Sequence, residues 1–78
     1  MKREIYKETQ IIITLLQEKG MNNYSESLQD IVDYGSTGTE IIMGVRYELN
    51  NILIDKSFND KLRIHIISLV KEIELYLL

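Results

Sequence analysis

His65 is the one histidine of the chain, and there is no cysteine. A transition-metal site would therefore have to complete its ligand set with carboxylates. The positions one turn either side of His65 hold Lys61, Leu62, Ser68 and Leu69, so no helical ligand pair forms there. Nucleophilic catalysis would need a serine or threonine activated by this same histidine and oriented by an acid, and no nucleophile-elbow pattern is present. Glu40 and Glu48 stand two helical turns apart, but nothing around them marks the burial that would tune a carboxylate for acid–base work. The run Gly35-Ser36-Thr37-Gly38 precedes a helical pattern, where backbone N–H groups can hold an anion. It lacks the lysine and the spacing of a P-loop, follows no strand, and puts Glu40 in the first turn. A helix stop, a tight turn and a cap account for it. These residue types point away from an enzyme and from any metal or cofactor.

What remains is recognition chemistry. The aromatic set is five tyrosines and one phenylalanine, with no tryptophan. Tyr24, Tyr34 and Tyr47 fall in the same third of the chain as Glu26, Asp30, Asp33, Glu40 and Glu48. Tyrosine beside carboxylates offers rigid contact area, a polar tip and attraction for Arg and Lys. The charge is unevenly spread: residues 1–22 carry +1, residues 23–48 carry −4 with Arg46 as the one cation, and residues 49–78 are neutral. Such a patch can steer a basic partner. It is also what a solvated helix face looks like, and tyrosines commonly edge a core with their hydroxyls in water. Arg46 is a candidate for an ion pair with the preceding acids. The net charge of −3 argues against nonspecific nucleic-acid binding, which needs a basic face.

These residues must be positioned by helices. Three breaks divide the chain into four segments, at Gly20, at Gly35 and at Asp55-Lys56-Ser57. Both glycines follow helical text and read as the left-handed residue that ends a helix. Each break is followed by a start signal with capping-box spacing: Asn23 with Glu26, Thr37 with Glu40, and more weakly Ser57 with Asp60. Apolar residues recur at i, i+3, i+4 and i+7 in every segment. Proline is absent, and thirteen isoleucines against no alanine mean that packing rather than propensity must hold the helices. Ile11 to Ile13 and Ile64 to Ile67 are strand-like by propensity, but their flanks keep the helical period and lack hairpin turns. The expected fold is all-α, a single domain over residues 1–78 packed as a small antiparallel four-helix bundle, with helices over about 2–19, 23–34, 38–55 and 58–77. The expected core is Ile12, Leu16, Leu28, Ile31, Val32, Ile42, Val45, Leu49, Ile52, Leu62, Ile66, Leu69, Val70 and Ile73. No apolar run is long enough to span a bilayer, no signal peptide is visible, and the lack of cysteine fits a reducing compartment, so a cytoplasmic protein is expected.

The block from Tyr34 to Leu49, Tyr-Gly-Ser-Thr-Gly-Thr-Glu-Ile-Ile-Met-Gly-Val-Arg-Tyr-Glu-Leu, resembles a segment of small helical bacterial immunity proteins of contact-dependent-inhibition and polymorphic-toxin systems. The resemblance covers about twenty residues, from the end of the second helix through the third, and contains no catalytic motif. It implies a cytoplasmic protein that binds and blocks one cognate toxin. No family site residue transfers, because such proteins use different surfaces. The residues themselves name Glu26, Asp30, Asp33, Tyr34 and Tyr47 as contacts for a basic toxin or nuclease. The fourth segment adds a second expectation. Ile64, Ile67, Leu75 and Leu78 lie off its main apolar stripe, which marks a homodimer interface. The alternative to an inhibitor is thus a homodimeric structural or regulatory helical module. A helix–turn–helix DNA binder ranks below both, because the helix after Gly35 begins with Glu40 and carries one cation.

Overall fold

Amphipathic periodicity of this kind can be satisfied only by burying one face of each helix against the others, and the chain does so. The computed structural model describes residues 2–56 and 61–78. Its four helices are α1 (Lys2–Glu18), α2 (Asn22–Tyr34), α3 (Gly38–Ile54) and α4 (Lys61–Leu77). Each packs on its two neighbours in chain order and α4 closes back onto α1, so the bundle is a ring of four with α2 and α4 on a diagonal. The radius of gyration is 11.5 Å, as compact as a globular chain of this length should be.

The helix ends show how local sequence sets the topology. Gly20 adopts φ +76°, the left-handed conformation. Its N–H donates to the Gln17 carbonyl at 3.0 Å, and the Met21 N–H donates to the Leu16 carbonyl at 2.9 Å. These two bonds are the paired closure of a Schellman motif, as the glycine predicted. The motif passes the chain straight into α2, with Met21 as N-cap and no side-chain cap bond. The expected Asn23–Glu26 box therefore does not form. Met21 packs against the core instead, and Asn23 falls inside the helix.

At the start of α3 the expectation holds. Thr37 is extended, and its Oγ1 accepts from the Glu40 N–H at 3.1 Å. Gly35 differs from its expected role. It is extended at φ −67°, with its N–H donating to the Ile31 carbonyl at 3.1 Å. Glycine is required there by space: a Cβ would run into Ile41 Cγ1 and stand 3.0 Å from the Ile31 carbonyl oxygen. Gly44 is the second close approach, where a Cβ would lie 2.9 Å from Ile31 Cγ2. Together they bring α2 and α3 nearer than larger residues would permit. The Ser57–Asp60 signal, Phe58 and the expected first turn from position 58 lie outside the described residues.

The core is a single cluster. It takes Ile5, Ile12, Ile13 and Leu16 from α1, and Leu28 from α2. Ile42, Val45, Leu49 and Ile52 come from α3, and Leu62, Ile66, Leu69, Val70 and Ile73 from α4. Two expected core residues, Ile31 and Val32, are half-buried at its edge. The shorter α2 reaches the centre mainly through Leu28, and Ile31 packs on Gly44 of α3. Among the described residues two polar side chains are fully buried, and each closes on its own helix. Thr9 Oγ1 donates to the Ile5 carbonyl at 2.7 Å, and Ser25 Oγ to the Asn22 carbonyl at 3.0 Å. No buried side-chain polar atom is left without a partner among the described residues, the satisfied state that a small core requires.

Candidate functional site

Helix α2 positions the acidic residues. Glu26, Asp30 and Asp33 stand at i, i+4 and i+7, so they form one stripe, and all three are exposed. Tyr34 ends the same helix and is 82 % exposed. Asp33 is held in place: Gln10 on α1 donates to Gln29 Oε1 at 3.2 Å, and Gln29 Nε2 donates to Asp33 Oδ1 at 3.0 Å. Among the described residues, Glu26, Asp30 and Asp33 have no ion-pair partner. Their field is directed into solvent.

Tyr47 is on α3. Ile31 against Gly44, Gly35 against Ile41 and Tyr24 against Asp55 fix an antiparallel register between the two helices. One turn past Gly44, Tyr47 is level with the turn of α2 around Leu28, inside the length spanned by Glu26 and Asp33. It is 69 % exposed. All five residues named from the sequence are on the outside, four on α2 and Tyr47 on α3, but Glu26 and Asp33 lie about 140° to 160° around α2 from Ile31 and so face away from the seam that Tyr47 borders. Arg46 does not join them. It lies about 200° around α3 from Gly44 and so faces away from α2. No ion pair of Arg46 with the α2 acids exists among the described residues.

Near the other end of this seam the structure adds a polar clasp that sequence reasoning missed. The Tyr24 hydroxyl donates to Asp55 Oδ2 at 2.7 Å. The bond, burial and the negative charges of Asp55 and Glu48 all hold the phenol in its neutral form, raising its pKa above the ordinary 10.0. Arg63 of α4 donates to the Leu53 carbonyl at 2.7 Å and to the Asp55 carbonyl at 3.2 Å. It thereby satisfies carbonyls that the end of α3 leaves open. Tyr24 and Asp55 are 31 residues apart, so no local pattern could pair them. The Gln29–Asp33 bond had a signal in its i, i+4 spacing.

Helix α4 carries a different surface. Ile64 is 68 % and Leu75 67 % exposed, with Ile67 and Leu78 exposed beside them. Two shallow hollows lie along this outer face, one lined by Lys61, Ile64, His65 and Ser68, the other by Lys71, Glu74, Leu75 and Leu78. A larger open groove of about 620 Å³ runs between α1 and α4, lined by Leu15, Glu18, Lys19, Lys61, Leu62 and His65. It brings His65 near one carboxylate-bearing residue, Glu18. No group of three potential metal ligands exists among the described residues, and no described helix is long and apolar enough to cross a membrane. No family model, curated protein or solved structure matches this chain.

Proposed function

We propose that the chain is a small protein-binding module of the immunity or antitoxin kind, which neutralises a basic toxin or nuclease by covering its surface with α2. The observation that carries this reading is the exposed stripe Glu26, Asp30 and Asp33, without an ion-pair partner among the described residues, with the exposed ring of Tyr34 ending the same helix and that of Tyr47 on α3. Exposed carboxylates without an ion-pair partner among the described residues attract a basic partner at long range. The tyrosines supply apolar contact area that loses little conformational entropy on docking. Rigid helices and the Gln10–Gln29–Asp33 chain hold the stripe before a partner arrives, which lowers the cost of ordering it on binding.

The test compares two tagged chains in host lysate, the natural one and the Asp30→Lys, Asp33→Lys double variant. Bound proteins are quantified by mass spectrometry, and the association rate of the recovered partner is then measured at low and high salt. A basic protein held by the natural chain at near-equal amount, associating about tenfold or more slowly with the variant at low salt, supports the reading. A partner retained equally by both chains, with one rate at both salts, removes α2 as the contact surface.

A further inference from the structure

The groove between α1 and α4 separates apolar from charged residues. Its floor is apolar, with Leu15 half-buried on α1 and Leu62 buried on α4. Lys61 and His65 stand one turn apart on the α4 wall, and both are exposed. Lys19 adds a second ammonium group just past the end of α1. Glu18, on the α1 wall, is the one carboxylate among the described lining residues. Neither Lys61 nor His65 has an ion-pair partner among the described residues. A groove of about 620 Å³ with an apolar floor and a few polar groups at its rim has the size and make-up of a small-ligand site. We propose that it binds a free aliphatic carboxylate of medium chain length, with the carboxylate held by Lys61 beside His65 and the tail lying on Leu62, Leu15 and Ile11.

The direction of the ligand follows from the charges along this seam. Ile11 lies one turn before Leu15 on the same face and is 39 % exposed, so it carries the apolar strip onward. Beyond it the seam turns acidic. Glu8 is seven residues before Leu15, and Glu72 is seven after His65, so each lies two turns further along the face that lines the groove. From the level of Lys19 to that of Ile11 is about 12 Å. A tail of that reach stops short of Glu8 and Glu72, and their charges keep an anionic head at the opposite end. There Lys19 and Lys61 outweigh Glu18. Helix α2 takes no part in the groove, so the inference stands apart from the protein-binding reading.

The test titrates sodium decanoate, below its micelle concentration, into the isotope-labelled chain and follows amide NMR shifts. Saturable shifts should centre on Leu15, Lys19, Leu62 and His65, with a Kd of about 1 mM or tighter. Decanol and decylammonium should each bind about fivefold or more weakly, since neither gives Lys61 an anion. Lys61→Glu, at an exposed position, should weaken decanoate by a similar factor with an unchanged circular-dichroism spectrum. Glu18→Lys, also exposed, should strengthen it. Absence of saturable shifts overturns the proposal, as do shifts centred on Ile64 and Leu75 of the outer α4 face. Equal affinities for the three compounds, or for decanoate across the three chains, overturn it too.

Discussion

Tyr24 joins two helices through one oxygen. Its hydroxyl gives Asp55 a 2.7 Å hydrogen bond, and Asp55 in turn stands where Arg63 grips the end of α3. Tyr24→Phe removes that bond and should lower stability by about 1 to 3 kcal/mol at neutral pH, because a charged acceptor loses one of its hydrogen bonds. The pH dependence has a definite sign. The folded protein raises the pKa of Tyr24 above 10.0, so it favours the protonated phenol. This contribution is complete below the ordinary value and fades as pH rises through the higher folded value. Urea unfolding of both chains should show a gap that narrows above about pH 10. A gap of constant size would mean that the hydroxyl contributes nothing through ionisation.

At the scale of the element, two glycines end two helices for unlike reasons. Gly20 is needed for its φ of +76°, and the space a Cβ would take there is open, with no described atom within 4 Å. Gly35 is needed because Ile41 fills the space where a side chain would go. Gly20→Ala should cost about 1 to 2 kcal/mol of left-handed strain. Gly35→Ala should cost about 1 to 3 kcal/mol through overpacking. Thermal melts separate the causes: adding Ile41→Ala should recover part of the loss at position 35 and none at position 20. Equal behaviour in both backgrounds would refute the distinction. In the sequence the two glycines look alike, since each follows helical text, and the difference is made by a side chain arriving from the next helix. The helices themselves were legible, because four amphipathic stripes with no proline leave little else to form. The fully buried Ile13 was less so, since a run of isoleucines does not say which members face inward. The Asn23 cap failed for a similar reason, as burial of Met21 against the core outweighed a side-chain bond at the surface.

Across the whole molecule, one cluster of side chains from all four helices carries the stability. Leu49 is fully buried within it, and Leu49→Ala should cost about 2 to 5 kcal/mol. A domain of this size has about 4 to 12 kcal/mol in total, so the melting temperature should fall by about 10 °C or more. Tyr47→Ala, on the exposed face of the same helix, should change stability by about 0.5 kcal/mol or less. Comparable losses from the two variants, measured by chemical denaturation, would contradict the burial pattern. The exposure of Glu26, Asp30 and Asp33 was readable from spacing alone. That α2 and α4 are diagonal was not, because ring order depends on which faces meet rather than on where each helix begins.

Ile31 and Gly44 share one volume at the seam between α2 and α3, with the side chain of one occupying the place that a methyl group of the other would take. Carbon added at position 44 has to be given up at position 31. In descendants of this chain the two positions should therefore change as a pair, small with large or large with small, and a lineage that altered one alone would carry a widened seam until the other followed.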